Sequence, residues 1–168
     1  MRSTMTDENL LDSRSTVFSS KLGEDGIIEN IFSRFDLYQC LTRMNVLDSK
    51  LSPRTLVDIG AHDGVFISNV RNLIVNHSWS GILVEGDPTK ADKCRQSFEG
   101  YQGVETKCCY VGFRERENNY EQLFGNYSPV SFLSIDVDGI DYEIFESIPD
   151  HLKPSVVCVE VSAGINPS

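Results

Sequence analysis

The sequence predicts an α/β fold, with a mostly parallel sheet between two layers of helices. From Thr55 onward, short apolar runs rich in β-branched residues alternate with longer helical or loop stretches, which is typical of a parallel sheet with crossover helices. Two of these runs, Phe132–Ile135 and Val156–Val159, are largely apolar on both faces, as strands covered on both sides are. A glycine-containing segment, 60–64, joins the first run to the next helical stretch. These observations favour one domain built on a single sheet.

Five strands and four crossover helices are expected in this part of the chain. The strands are predicted at Leu56–Ile59, Gly81–Val84, Val104–Val111, Ser131–Val137 and Val156–Val161. The helices are predicted at Val65–Val75, Thr89–Phe98, Asn118–Phe124 and Asp141–Ser147. The second helix has the clearest start, because Asp87 can cap it and Pro88 suits its first position.

The region before Pro53 is predicted to add one amphipathic helix. Apolar residues at helical spacing and acids in the first turn predict this helix over Gly23–Phe35. The polar stretch Met1–Ser20 lacks periodicity and is predicted to be a flexible tail, so the domain is expected to span residues 21–168. The connector 36–53 leaves room for a short helix at Leu37–Met44.

Composition and charge exclude several classes of function. The chain has 25 acidic and 15 basic residues, a formal net charge of −10 and no run of Lys or Arg, which argues against nucleic acid as a partner. No apolar run reaches the roughly 20 residues of a membrane helix, and the first residues lack a signal-peptide pattern. Five cysteines without a CxxC pair indicate free thiols in a reducing compartment. A cytoplasmic protein with no membrane partner is expected.

The loop after the first strand is the first candidate site. Gly60 can make the tight turn out of the strand, and Gly64 allows close approach of the backbone to a helix or a ligand. Glu85 ends the second strand, 25 residues after Gly60, where a carboxylate can accept hydrogen bonds from a ribose diol. Among the three histidines, His62 alone lies in this loop, as a candidate ligand contact.

Two nucleotide ligands are compatible with this loop, and charge separates them. A dinucleotide site normally carries a G-x-G-x-x-G loop, whereas here the spacing is G-x-x-x-G with Asp58 and Asp63 beside the glycines. Carboxylates repel a pyrophosphate but suit a ligand with a sulfonium and an ammonium group. The sequence therefore favours S-adenosylmethionine over NAD. An ordinary strand-to-helix turn with capping acids is the remaining alternative.

The fourth strand runs into three acids: Asp136, Asp138 and Asp141. Ligands of open α/β sheets bind beyond the carboxyl ends of the strands, so these acids are expected in the same cleft as Asp58 and Glu85. Asp136 and Asp138 are candidates for a cofactor contact or for the general base. They could instead hold Mg²⁺ or Ca²⁺, which is less favoured. In a third interpretation, Asp141 only caps the next helix and Asp138 is solvated.

Taken in order, several blocks of the chain resemble FkbM-like methyltransferases, from about Leu22 to the C-terminus. The blocks are GEDGII (23–28), VDIGAHDG (57–64), GILVEGDP (81–88), FLSIDVDG (132–139) and VVCVEV (156–161). The resemblance implies a Rossmann-like methyltransferase fold, S-adenosylmethionine as donor, and O-methylation of a sugar or another small molecule. His62 departs from the pattern, because many methyltransferases carry a second glycine there.

By position, the resemblance assigns Asp58 and Gly60 to the first motif of the family, Glu85 to the ribose-binding acid and Asp136 to the acid that ends the fourth strand. Together with the loop and the acidic cluster described above, the expected cofactor-binding residues are Asp58, Gly60, Ala61, His62, Gly64, Glu85, Gly86 and Asp136. The expected catalytic residues are Asp136 and Asp138, without a metal. The fold usually closes with a hairpin beyond the fifth strand, so we expect either a fragment of a longer protein or a homodimer paired through the edge at Val156–Val161. A non-catalytic nucleoside-binding or interaction module with the same fold is the alternative function.

Overall fold

The computed structural model describes residues 18–35, 54–112, 120–125, 130–152 and 154–161. Within them, five parallel strands form one sheet. These are β1 (Thr55–Ile59), β2 (Ser80–Glu85), β3 (Val104–Cys108), β4 (Phe132–Ile135) and β5 (Val156–Val159). Their order across the sheet is β3-β2-β1-β4-β5, so the chain reverses its direction of winding between β1 and β4. The predicted α/β fold with a parallel sheet is confirmed.

Helices flank the sheet. They are α1 (Glu24–Phe35), α2 (Arg71–His77), α3 (Pro88–Ser97), α4 (Tyr120–Phe124) and α5 (Asp141–Ser147), with a 3₁₀ turn at Asp150–Leu152. Alternate residues of each strand point to opposite faces, so Leu56 joins a core with α1, α2 and α3, whereas Val57 joins a second core with α4 and α5. All five residues of β1 are buried, as expected for a central strand with helices on both sides.

The start of α3 agrees with its sequence signal. The Asp87 carboxylate accepts hydrogen bonds from the backbone N–H groups of Thr89 and Lys90, at 2.8 and 3.0 Å, and Pro88 is the first helical residue. Such a cap satisfies backbone donors that the first helical turn leaves without partners. Helix α5 has the predicted bounds.

The predicted helix Val65–Val75 is wrong over its first half. Helix α2 begins only at Arg71, because the Asp63 carboxylate accepts the backbone N–H groups of Val65 and Phe66 and folds this stretch into turns. Ile67 also has a positive φ of 56°, which a helix does not accommodate. The glycine loop is therefore separated from the helix that it was expected to open.

Three strands end earlier than predicted. β3, β4 and β5 stop at Cys108, Ile135 and Val159, although the next residue of each still donates one backbone hydrogen bond to the neighbouring strand. After β4 the chain turns away, because the backbone N–H of Val137 donates to the Asp141 carboxylate instead of to a strand.

Other predictions at the ends of the chain have mixed outcomes. Residues 18–20 belong to the predicted tail Met1–Ser20, but all three donate backbone hydrogen bonds to Asp25, and Ser20 is buried. Residues 1–17 and the helix predicted at Leu37–Met44 lie outside the described residues. Strand β5 is at one edge of the described sheet, and pairing of that edge in a homodimer stays a prediction. No helix in the described ranges has the length and apolarity needed to cross a membrane.

Candidate functional site

A cleft of about 700 Å³ opens at the carboxyl ends of the strands. Residues following each of the five strands contribute to its wall, and β1 and β4, between which the winding reverses, lie at its centre. This is the position at which open α/β sheets bind ligands. The cleft is lined by nearly all of the predicted site residues: Asp58, Gly60, Ala61, His62, Glu85, Gly86, Asp136 and Asp138.

Gly64 is the predicted site residue that is not part of the cleft lining. Its φ is 72°, and a Cβ atom there would lie 2.5 Å from the Phe98 ring and 3.1 Å from the Cys94 sulfur. Gly64 is therefore needed for packing of the loop against α3, and its contact with a ligand stays a prediction. Asp63 also lies outside the lining, and its carboxylate accepts N–H groups of the turn that follows it. Of the two acids beside the glycines, Asp58 in β1 is therefore the one that lines the cleft.

Gly60 is the point where the loops after β1 and β4 touch. Its φ is 90°, and a Cβ atom would lie 1.7 Å from the carbonyl oxygen of Asp136. The backbone N–H of Asp136 donates to the carbonyl oxygen of Ile59 at 2.9 Å, which fixes the two loops side by side. Because no side chain fits at residue 60, both loops reach the cleft with their backbones in contact.

Glu85 joins the loops after β1 and β2. One carboxylate oxygen accepts the backbone N–H of His62 and the other accepts that of Asp87, each at 2.8 Å. Each oxygen keeps a second lone pair, so the carboxylate can still accept hydrogen bonds from a diol in the cleft. Glu85 is thus held in place before any ligand arrives.

His62 has a positive φ of 53° and lines the cleft with a half-exposed ring. Its Nδ1 atom is buried without a hydrogen-bond partner among the described residues and lies 3.4 Å from an Asp63 carboxylate oxygen. The Nδ1 atom of the ring therefore lies next to Asp63 in the same loop, and the backbone N–H of His62 donates to the Glu85 carboxylate.

Asp58 is an ionisable group deep in the cleft, with 5% of its surface exposed. Burial raises the pKa of its carboxyl group to about 7, a hydrogen bond with Ser134 opposes the shift, and the charges of Asp136 and Glu85 add to it. Ser134 is its neighbour on β4 in the sheet register. Asp58 therefore changes charge near neutral pH.

Asp136 faces a second carboxylate. Burial is the largest of several effects that together raise the pKa of Asp136 to about 6. The others, in decreasing order, are the charge of Glu160, a hydrogen bond shared with Glu160, and the charges of Asp138 and Asp141. Glu160 follows β5, and the pairing of Ile135 with Val159 places it beside Asp136. The sequence interpretation missed Glu160, although an acid directly after a buried strand is the same signal that identified Asp136.

Asp141 shapes the loop that carries these acids. It is buried, and its carboxylate accepts the backbone N–H groups of Val137 and Gly139 at 2.7 and 2.9 Å. It is the first residue of α5 and makes no side-chain cap to that helix, so the simple capping role is wrong. Asp138 is exposed, with a φ of 60°.

A metal ion is the alternative occupant of this acidic cluster. One carboxylate oxygen from each of Asp136, Asp138 and Glu160 lies within 4.8 Å of the others. Oxygen ligands of this kind suit Mg²⁺ or Ca²⁺. Two of the three acids are exposed, however, and exposed acids often approach this closely without an ion. The geometry permits a cation but does not favour it over a shared proton.

Tyr110 adds an aromatic surface that the sequence interpretation missed. A Cβ atom on Gly86 would lie 2.5 Å from the Tyr110 ring, so the ring packs directly on the backbone of this glycine. The ring remains 82% exposed and lines the cleft. A flat ring in such a place can stack on a nucleobase. Local sequence patterns give no signal for a tyrosine that lies just after β3.

The cleft is strongly acidic. Its lining includes six carboxylates against two lysines, Lys21 and Lys90, and no arginine among the described residues. The acids are Asp58, Glu85, Asp87, Asp136, Asp138 and Glu160. At short range and with partial burial, such a set favours a cationic or zwitterionic ligand over an anionic one.

No protein-family model matches the chain, and no curated protein is significantly similar to it in sequence.

Proposed function

We propose that the cleft binds S-adenosylmethionine and that the protein is a methyltransferase acting on a hydroxyl group of a sugar or another small molecule. The observation that carries the proposal is the excess of carboxylates, six against two lysines, around a cleft at the winding reversal of a parallel sheet. S-adenosylmethionine carries a sulfonium and an ammonium group, which such a set of carboxylates attracts.

The wall residues fit the nucleoside part of this cofactor. Glu85 is held by two backbone donors and can accept the ribose hydroxyls with its remaining lone pairs. Gly86 and the ring of Tyr110 form a flat surface next to Glu85, against which an adenine can stack. These contacts come from residues that follow β1, β2 and β3, and they leave the β4 side of the cleft for the acceptor.

Asp136 is the proposed general base, and Asp138 and Glu160 are the carboxylates beside it. When bound, S-adenosylmethionine supplies a methyl group on a sulfonium centre. The acceptor hydroxyl must lose its proton as its oxygen takes up that methyl group, and Asp136, with a pKa of about 6, can accept it at neutral pH. Glu160 tunes this base, because its negative charge makes proton uptake by Asp136 more favourable.

A dinucleotide fits the same cleft poorly. Its pyrophosphate normally lies at the N-terminus of the helix that follows the glycine loop. Here α2 begins at Arg71, well beyond Gly60, and Asp58 and Asp136 line the cleft, where their negative charges would repel a pyrophosphate. Two features therefore favour S-adenosylmethionine over NAD: the carboxylates, which the sequence already indicated, and the late start of α2.

Calorimetry with S-adenosylhomocysteine and NAD⁺ tests the proposal. We expect the wild-type protein to bind S-adenosylhomocysteine and not NAD⁺. The Glu85→Ala variant should bind about 1 to 3 kcal/mol more weakly, because it loses charge-assisted hydrogen bonds to the ribose. Glu99→Ala, which removes an exposed acid after α3, is the matched control and should bind normally.

Because Glu85 also supports two loops, thermal unfolding must show that the variant is folded. A folded wild-type protein without affinity for S-adenosylhomocysteine would falsify the proposed function. Unchanged affinity in Glu85→Ala would show that this residue is not the ribose ligand. Cofactor binding without methyl transfer to any of a panel of sugars and small-molecule hydroxyls would favour the non-catalytic binding module.

A further inference from the structure

Residues 18–23 form a short segment ahead of α1, which we call the strap. Its first half is fixed by Asp25, whose side chain is buried, with 1% exposed. One carboxylate oxygen of Asp25 accepts the backbone N–H groups of Phe18, Ser19 and Ser20, at 2.8, 2.6 and 3.2 Å, and the other accepts the Ser20 hydroxyl at 2.6 Å. One ionised side chain therefore sets the path of three consecutive residues.

The anchor is an ionised carboxylate. Burial raises the pKa of Asp25, but the hydrogen bonds from Ser20, Ser19 and Phe18 outweigh the effect and hold its pKa below the usual value. A buried carboxylate with this many hydrogen-bond donors keeps its position, because a buried charge that loses its donors is strongly destabilised. The strap is thus fixed to the start of α1.

The strap is also attached to the loop after β1, other residues of which line the cleft. The Ser19 hydroxyl donates to the carbonyl oxygen of Val65, in the loop after β1. On the other side, the backbone N–H of Leu22 donates to the Glu24 carboxylate at 2.8 Å. Lys21 lies between these two attachments and lines the cleft. Lys21 is exposed, and its ammonium group makes no salt bridge with another described residue.

The two lysines of the cleft belong to different elements. Lys90 is in the first turn of α3, directly after β2, where its backbone N–H donates to the Asp87 carboxylate at 3.0 Å. Lys21 belongs to the strap, which is attached to Val65 after β1 and to the start of α1. Lys21 is therefore the lysine of the cleft that lies outside the elements that carry the nucleoside wall, which is formed by Glu85, Gly86 and Tyr110.

S-adenosylmethionine carries a carboxylate at the end opposite its adenine. In a cleft with six carboxylates, this group needs a cation beside it. We propose that the strap positions Lys21 to pair with the carboxylate of the ligand's amino-acid end, so that Lys21 selects ligands carrying that end. This inference rests on the proposed cofactor, since it assigns the contact that the acidic cleft otherwise lacks.

Two ligands separate this contact from the rest of the site. S-adenosylhomocysteine carries the amino-acid end, whereas 5′-methylthioadenosine keeps the nucleoside and the sulfur and lacks that end. We expect Lys21→Ala to weaken binding of S-adenosylhomocysteine roughly 10- to 100-fold in calorimetry, the range of a charge-assisted pair, and to leave methylthioadenosine within about twofold. Lys90→Ala is the matched control and should not produce this difference between the ligands.

The anchor is tested by a second pair of variants. Asp25→Asn should give the same selective loss of affinity for S-adenosylhomocysteine, because the strap loses its charged acceptor. Ser19→Ala, which removes the hydrogen bond to Val65, should give a smaller loss in the same direction. The second variant is the test to use if Asp25→Asn does not fold. Raising the ionic strength should weaken binding of S-adenosylhomocysteine more in the wild-type protein than in Lys21→Ala.

The outcomes distinguish this inference from the proposed function. If the wild-type protein binds neither ligand, both are overturned. If it binds both, and Lys21→Ala affects the two ligands equally or not at all, the pairing of Lys21 is overturned while the nucleoside site stands.

Discussion

On the β2 side of the cleft, Glu85 accepts hydrogen bonds from two backbone donors, whereas on the β4–β5 side Asp136 faces another carboxylate, Glu160. The first arrangement satisfies a charge and fixes it in one place. The second places two carboxylates of like charge side by side, so that Asp136 keeps a proton up to nearly neutral pH. The difference suits recognition on one side, where geometry must be constant, and proton transfer on the other, where the charge must change.

The two sides meet at Gly60, where we expect the largest effect of any substitution in the cleft. Gly60→Ala places a methyl group 1.7 Å from the Asp136 carbonyl oxygen at a φ of 90°, and should lower the free energy of unfolding by about 4 kcal/mol or more. Urea unfolding measures this loss. Gly100→Ala is a matched control, because its φ is 88° and the added methyl meets no atom within 4 Å, and it should cost only about 1 kcal/mol. Equal losses would contradict the contact between the two loops.

A change confined to the proton-transfer side should alter pH dependence and leave recognition intact. Glu160→Gln removes the charge that raises the pKa of Asp136, so the acid limb of the methyl-transfer rate, expected near pH 6 in the wild-type protein, should move to lower pH. Affinity for S-adenosylhomocysteine should change little. The control is Glu143→Gln, on the exposed surface of α5, for which the pH profile should stay in place.

The same variant makes a linked prediction for stability. The folded pKa of Asp136 is raised above the ordinary value of 3.8, so its contribution to stability is complete below pH 4 and is lost as the pH rises through about 6. Thermal unfolding of Glu160→Gln should therefore show a smaller loss over this interval than the wild-type protein. An unchanged loss would indicate that the two carboxylates do not interact.

The smallest effect is expected on the recognition side. Tyr110→Ala removes the ring that packs on Gly86 and should weaken binding of S-adenosylhomocysteine by about 1 kcal/mol, the contribution of one stacked ring. Equilibrium titration is sufficient to measure it. Tyr142→Ala, on the exposed surface of α5 and outside the cleft lining, should leave the affinity unchanged. A similar loss of affinity in both variants would show that Tyr110 does not contact the nucleoside.

The sequence predicted those features that depend on neighbours along the chain. The apolar runs identified all five strands, and Asp87 with Pro88 identified the start of α3 to within one residue. It failed where a side chain competes with the backbone pattern: Val65 and Phe66 have helical spacing, but the Asp63 carboxylate takes their N–H groups.

The candidate site follows the same division. Asp58, Glu85 and Asp136 could be identified because each lies in or at the end of a buried strand, and the carboxyl ends of parallel strands share one edge of the sheet. Glu160 and Lys21 could not be assigned, because their places depend on the register of β5 and on the path of the strap. Such contacts between distant segments leave no periodic signal in the sequence.

The hydrogen bond between His62 and Glu85 closes a loop of 23 residues, and the pair of Asp136 with Glu160 closes one of 24 residues, the difference between 160 and 136. Each pair joins neighbouring parallel strands connected by one crossover, so loop closure costs nearly the same chain entropy on both sides of the cleft. During folding, each pair can therefore form within its own βαβ unit, and only the contact between Gly60 and Asp136 requires both units to be in place.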